Sequence, residues 1–130
     1  MSADRICSWS GTPTKMRKVY RLFDAKGDCH LYGFAGRADE GFAYMHWMLG
    51  KIPEPHFTEL HIIVINNKKQ IWCRNESMLW LPNHKEHWAL GSGADYALGA
   101  MAMGATSREA VKVATGLDVN TGLGIDTVKF

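Results

Sequence analysis

The histidines are the side chains in this sequence that most readily suggest chemistry. His84 and His87 lie three positions apart, and with His56 and His61 they could be imagined as a metal site. The sequence supplies neither a second matched Cys/His pair nor an H-E-x-x-H helix to complete such a site. We therefore expect no metal and no cofactor.

The cysteines are the second group of reactive side chains. Cys7, Cys29 and Cys73 are odd in number, far apart and without C-x-x-C spacing, which indicates buried or free thiols in a reducing compartment. Cys29 is followed by His30, but adjacent residues on a strand point to opposite faces of the sheet. The pattern therefore argues against a cysteine hydrolase.

The length and composition of the chain limit the class of protein to which it can belong. With 130 residues and 46% hydrophobic content, the chain is predicted to be a single globular domain over residues 1–130. The 15 basic and 13 acidic residues are too balanced to indicate a nucleic-acid partner, and the basic stretch Lys15–Arg21 is better explained as a strand with a solvated face. No segment has the length of a membrane helix or a signal core, so we expect a cytoplasmic protein with no membrane partner.

The first half of the chain is predicted to contain two hairpins around one helix. Apolar segments on either side of a turn at 24–28 predict strands that end near Gly36. A helical period then runs from Ala38 to about Gly50, and Pro53 and Pro55 mark a loop. The β-branched residues that flank an Asn-Asn turn at 66–67 predict the second hairpin.

The second half is predicted to be mostly helical. Residues 88–93 are expected to form a short strand that runs into a Gly-Ser-Gly turn, followed by a helix of small residues over 95–103. Ser107 is the expected N-cap of another helix, and residues 125–130 form the expected last strand. This order of elements predicts an α+β sandwich rather than a doubly wound fold.

Four short motifs in order carry a resemblance to a known family. They are LYGFAG at 31–36, GSG at 91–93, D-x-x-T-G at 118–122 and G-I-D at 124–126. The chain resembles the proteasome β-subunit family and the peptidase subunit of the bacterial two-component heat-shock protease, and its short length is closest to compact bacterial or bacteriophage-type members. The resemblance implies the four-layer αββα sandwich of the N-terminal nucleophile (Ntn) hydrolases, lacking the first β-hairpin.

The resemblance also implies catalytic roles for two N-terminal residues. In the family a terminal threonine hydroxyl attacks the peptide carbonyl and its own α-amine is the base. Lys18 matches the lysine that makes the amine a better base by disfavouring its protonated form. Asp4 matches the acidic residue that keeps this lysine charged and oriented. Without the resemblance, Asp4 and Lys18 would be interpreted as an ordinary surface pair.

Four further residues match the family's active site. The backbone N–H of Gly33 is expected to stabilise the oxyanion. Ser92, Asp118 and Thr121 are expected to position the amine and hydroxyl of the nucleophile. Each also has a structural interpretation, as a turn glycine, a helix cap or an Asx-type loop.

The nucleophile itself is absent from the printed sequence. Removal of Met1 would expose the amine of Ser2, but Ser2 is only two positions before Asp4 instead of a full hairpin away, and Thr12 and Thr14 are internal. We interpret the chain as a threonine-type peptidase subunit of a self-compartmentalising protease whose threonine lies upstream. The alternative is an inactive structural subunit that assembles into rings, so the sequence leaves open whether the chain is an enzyme.

The partners are implied only by the resemblance. They are a peptide or unfolded protein substrate, further copies of the chain in a homo-oligomeric ring, and an ATP-dependent unfoldase. Substrate preference and ring size are not indicated by any motif.

Overall fold

The computed structural model describes residues 1–9, 12–74, 81–83 and 86–130. These residues fall into two compact units, a first unit of Met1–Val19 with Lys85–Val128 and a second unit of Tyr20–His84 with Lys129–Phe130. The strands are β1 (Ser2–Asp4), β2 (Ile6–Trp9), β3 (Thr12–Lys15), β4 (Val19–Phe23), β5 (Cys29–Gly36), β6 (Leu60–Ile65), β7 (Ile71–Arg74), β8 (Leu81–Asn83) and β9 (Ile125–Thr127). The helices are α1 (Ala38–Met48), α2 (Ala94–Ala102) and α3 (Ser107–Leu117).

The second unit contains a five-stranded sheet with the order β4-β5-β6-β7-β8. Strand β5 is antiparallel to β6, with Gly33 opposite Ile63, and the middle of β5 is buried. Helix α1 contacts β5 because Gly41 leaves room for the Phe34 ring, and a Cβ at position 41 would lie 2.6 Å from that ring. The Tyr32 hydroxyl, fully buried, donates to the Gly41 carbonyl at 2.9 Å and joins the helix to the strand.

A buried arginine holds the segment after α1 in the second unit. The Arg74 guanidinium, on β7, donates to the Tyr44 hydroxyl and to the Glu54 carboxylate, both at 2.5 Å. It also lies within 6 Å of three ring centroids, at 5.2 Å from Tyr44, 5.9 Å from Trp47 and 5.6 Å from Phe57. A positive charge in such a site is stabilised by the ring faces and by its carboxylate partner.

The first unit is built from paired short strands and a helical hairpin. Strand β1 is antiparallel to β9, and β2 is antiparallel to β3. Helices α2 and α3 pack through four buried side chains, Ala97, Met101, Ala110 and Ala114. Helix α3 begins with a capping box, in which Thr106 and Glu109 satisfy each other's backbone N–H groups.

Most of the predicted elements are confirmed, including both hairpins, the three helices and the α+β class. The last strand ends at Thr127 and not at residue 130, and three further details are wrong. Residues 88–93 form no strand, because Gly91 adopts a φ of +93° in a turn closed by the Ala94 N–H. The N-cap of α3 is Thr106 rather than Ser107, because only Thr106 has Glu109 three positions later.

The third error concerns the basic stretch Lys15–Arg21. It is not one strand, since β3 ends at Lys15 and β4 begins at Val19. The Met16 N–H donates to the Arg5 carbonyl at 2.7 Å, and Lys18 turns toward Asp4.

The four-layer arrangement and the single domain remain predictions. Within the described ranges, no helix combines the length and apolar character needed to cross a membrane.

Candidate active site

Asp4 and Lys18 form an ion pair in the first unit. The Lys18 Nζ donates to Asp4 Oδ1 at 3.0 Å, and the two side chains are only 17% and 14% exposed. The other oxygen of Asp4 accepts the backbone N–H groups of Ile6, at 2.9 Å, and Gly122, at 3.2 Å. The carboxylate therefore has three donors, which hold it at the end of β1 with the lysine against it.

A second cluster is centred on the Asp118 carboxylate at the end of α3. Its Oδ2 accepts the Ser92 hydroxyl at 2.6 Å and the Thr121 hydroxyl at 2.5 Å, while Oδ1 accepts the Asn120 N–H at 3.2 Å. Hydrogen bonds to the ionised form lower a carboxyl pKa. The pKa of Asp118 is accordingly below its ordinary value, first because of Ser92 and then because of Thr121.

Gly93 brings the start of α2 against this cluster. A Cβ on residue 93 would lie 2.7 Å from the Thr121 hydroxyl oxygen, 3.0 Å from Ala114 Cβ and 3.4 Å from Asp118 Oδ2. Because only glycine lacks that atom, the backbone of the Gly-Ser-Gly turn can approach closely enough for Ser92 to reach Asp118.

The two clusters are joined through the backbone of one glycine. Gly122 follows Thr121 directly, donates its N–H to Asp4 and accepts the Arg5 N–H at 2.9 Å. Five of the six predicted site residues, all except Gly33, thus lie in the first unit and are connected by hydrogen bonds. Gly33 lies in the second unit, buried within β5.

Two of the three hydroxyls considered as substitute nucleophiles, those of Ser2 and Thr14, have other partners. The Ser2 hydroxyl contacts those of Ser107, at 3.0 Å, and Thr127, at 2.9 Å. Thr12 and Thr14 are exposed on β3, and the Thr14 hydroxyl donates to the Thr12 carbonyl at 3.4 Å. In the part of the chain that the structure describes, none of these three hydroxyls hydrogen bonds to Asp4, Lys18 or Asp118.

Metal and thiol chemistry find little support in the part of the chain that the structure describes. It contains no group of three or more His, Cys, Asp or Glu side chains placed to hold a metal ion, and His84 lies outside it. Cys7, Cys29 and Cys73 are free and partly buried. Burial raises the pKa of the Cys73 thiol to about 11, so this thiol is protonated and weakly nucleophilic at neutral pH.

Sequence reasoning missed two parts of this site. The Gly122 N–H links the two clusters, but glycine has no side chain whose type could indicate that role. Arg5 and Asp126 form an ion pair beside the site, and of the two only Asp126 falls within a motif, as the last residue of G-I-D at 124–126.

The comparisons with known proteins give a likeness of fold alone. No model of a protein family matches the sequence, and no protein of curated function matches it. The structure of Anbu (ancestral beta-subunit) from Yersinia bercovieri is similar, with a TM-score of 0.73, 8% identity, and coverage of 96% of this chain and 74% of that chain. Anbu from Hyphomicrobium sp. strain MC1 is similar with a TM-score of 0.71, 9% identity, and coverage of 95% and 73%.

These findings correct the family assignment made from the motifs. The assignment to the proteasome β-subunits and the heat-shock peptidase subunit is wrong, because no family model matches and the similar structures are Anbu proteins. The short motifs were too common in loops to identify a family. What stands is the coarser statement that the chain has the α+β fold of the proteasome-like Anbu structures.

Proposed function

We propose that this chain is a subunit of a threonine-type, self-compartmentalising peptidase. The nucleophile would be an N-terminal threonine outside the printed residues, and the substrate a peptide or an unfolded protein. The observation that carries the proposal is the Lys18–Asp4 ion pair, whose carboxylate is hydrogen bonded to the backbone beside Thr121.

Lys18 is suited to support an amine base. A charged ammonium near a second amine disfavours protonation of that amine, which keeps more of it in the basic form at neutral pH. The Lys18 ammonium, whose side chain is 17% exposed, is paired with Asp4 at 3.0 Å, and this partner compensates the loss of water around it. Asp4 in turn is held by two backbone N–H groups, so the pair is oriented before substrate binds.

The Asp118 cluster is suited to orient the nucleophile. Its carboxylate is held ionised by Ser92 and Thr121, and an ionised carboxylate is a strong acceptor for an ammonium or hydroxyl group. The Thr121 and Ser92 hydroxyls can each accept a hydrogen bond while they donate to Asp118. In this proposal, Gly33 supplies the oxyanion N–H, and copies of the chain form a ring that an ATP-dependent unfoldase can feed.

The deciding experiment is to purify the protein expressed from its own genomic region and to determine its mature N-terminus by intact mass. Peptidase turnover of the same sample is measured with fluorogenic peptides, beside Lys18→Met and the matched control Lys112→Met. Lys112 is exposed on α3, away from Asp4 in sequence. We expect an N-terminal threonine, and a loss of turnover of about 10²- to 10⁴-fold in Lys18→Met only.

A mature chain without an N-terminal threonine, or turnover that Lys18→Met leaves intact, would overturn the proposal. A stable ring without turnover would favour the inactive structural subunit.

A further inference from the structure

The proposed reaction leaves one ion pair of the first unit without a role. Arg5 follows β1 directly, and its Nη2 donates to Oδ1 of Asp126 on β9. Asp126 lies opposite Ala3 in the β1–β9 register, and its side chain is only 13% exposed. Arg5 therefore connects the strand that ends at Asp4 with the segment that follows the Asp118 cluster.

The segment that Arg5 contacts has an unfavourable backbone conformation. Leu123 and Gly124 have consecutive positive φ angles of 59° and 105°. Leucine rarely adopts this left-handed conformation, which costs about 1–2 kcal/mol for a residue with a Cβ. The Leu123 side chain is 47% exposed, so its own packing offsets little of that cost. Neighbouring residues must hold the turn.

Arg5 contacts this turn in three ways. Its backbone N–H donates to the Gly122 carbonyl at 2.9 Å. Its side chain passes close to Gly124, since a Cβ built there would lie 3.5 Å from Arg5 Cδ. Its guanidinium binds Asp126, two residues beyond the turn. Arg5 thus contacts the first and last residues of the turn, Gly122 and Gly124, and also the strand that follows it.

The same turn positions both clusters of the candidate site. Thr121, which donates to Asp118, immediately precedes it, and the Gly122 N–H donates to Asp4. A shift of the turn would displace the Thr121 hydroxyl and the Gly122 N–H together.

We propose that the Arg5–Asp126 ion pair is a positioning clamp, which holds the turn at 122–124 so that Thr121 meets Asp118 and the Gly122 N–H meets Asp4. The importance of this clamp for turnover rests on the proposed function, whereas the effect of the ion pair on the turn does not.

The surroundings of the Arg5–Asp126 pair differ from those of an ordinary surface ion pair. Arg5 Nε and Asp126 Oδ2 are removed from solvent and lack hydrogen-bond partners among the described residues. Loss of Arg5 would leave the Asp126 carboxylate, whose side chain is 13% exposed, without its charged partner, which costs more than loss of an exposed pair. Lys15 and Arg17 reinforce the effect of Arg5, and together they lower the pKa of Asp126, so the carboxylate is charged at neutral pH.

The test measures the geometry of the Asp118 cluster without requiring turnover. The Asp118 carboxyl is titrated by carbon-13 NMR in the full chain, in Arg5→Met, and in the control Arg37→Met, which removes an exposed ion pair with Asp39. Asp118→Asn assigns the resonance. We expect the pKa of Asp118 to rise toward its ordinary value in Arg5→Met only, because the Thr121 hydrogen bond is weakened, and Arg5→Lys to restore part of the difference.

An unchanged Asp118 pKa in folded Arg5→Met would overturn the clamp. If that variant does not fold, Asp126→Asn carries the same test, because it removes the charge and keeps the shape. Should the native protein hydrolyse peptides, Arg5→Met should lower kcat by about 10- to 100-fold with little change in KM. Should it hydrolyse none, the proposed function fails while the titration still decides the clamp.

Discussion

Gly93 lies so close to Thr121 that a Cβ at position 93 would be 2.7 Å from the threonine hydroxyl oxygen. Gly93 has a φ of −83°, which alanine also adopts, so the requirement for glycine here comes from the contact and not from the backbone conformation.

This contact predicts that Gly93→Ala destabilises the protein by about 1–3 kcal/mol, because the new methyl group must displace Thr121 or Ala114. Urea denaturation measures the loss. Gly99→Ala is the matched control on the same helix, where nothing lies within 4 Å of the added Cβ. That control should stabilise the protein by about 0.5–1 kcal/mol, since glycine weakens a helix interior. Equal effects of both substitutions would contradict the close approach at Gly93.

Asp4 and Lys18 should differ in their importance for stability. Asp4→Ala leaves Lys18 and two backbone N–H groups without their acceptor, with an expected loss of about 1–3 kcal/mol. Lys18→Met removes only one of the three donors to Asp4 and should cost less. Denaturation midpoints of the two purified variants make the comparison. A larger loss in Lys18→Met would show that the backbone hydrogen bonds to Asp4 contribute little.

The Asp118 cluster should make stability depend on acidity. The pKa of the Asp118 carboxyl is lowered in the folded protein. The carboxylate therefore stabilises the fold at pH values above its unfolded-state pKa of about 3.9, and this stabilisation is lost as pH falls through the folded-state pKa. Ser92→Ala removes the largest cause of that shift. The variant should therefore be less stable than the parent at neutral pH, and the difference should shrink as the solution is acidified.

Denaturation at pH values of about 7 and about 3 tests this, because the two values bracket the ordinary carboxyl pKa. Thr115→Ala is the control, since the Thr115 hydroxyl donates to a backbone carbonyl at 2.7 Å and has no titrating partner in that bond. A stability difference for Ser92→Ala that does not vary with pH would contradict the prediction.

Arg74 should be essential to the second unit through its planar guanidinium. Arg74→Lys keeps the charge, but a single ammonium cannot reproduce the fork that reaches Tyr44 and Glu54 together. We expect both Arg74→Lys and Arg74→Met to cost about 1–3 kcal/mol, because the buried Tyr44 hydroxyl loses its charged donor. Thermal melting provides the measurement. Arg37→Met, which removes an exposed pair, should change stability by less than about 0.5 kcal/mol.

Local chemistry made most of the elements predictable. The Asn66–Asn67 turn between β-branched segments indicated the hairpin of β6 and β7, and the helical period from Ala38 indicated α1. The failures also have local causes. A short apolar segment at 88–93 suggested a strand, but the left-handed Gly91 ends any extended conformation there. Ser107 and Thr106 are both good N-caps, and only the position of Glu109 distinguishes them.

The candidate site was predicted only through motifs, and the family they suggested was wrong. Five of the six predicted residues lie together in the first unit, and their contacts join parts of the chain far apart in sequence. Ser92 and Asp118 are separated by 26 positions, and Asp4 and Gly122 by 118. No periodicity or spacing within one segment encodes such pairs.

The sequence by itself determined the α+β class, most of the helices and hairpins, and the lysine, two aspartates and two hydroxyl residues that make up five positions of the candidate site. Only the tertiary structure decided that five of these positions are connected, that Gly122 links their two clusters, and that Arg5 binds Asp126 beside them. The physical reason is the separation along the chain over which each kind of interaction acts. Turn and helix preferences act between residues a few positions apart, whereas a site depends on strand register and close packing, which are set by the burial of the whole unit.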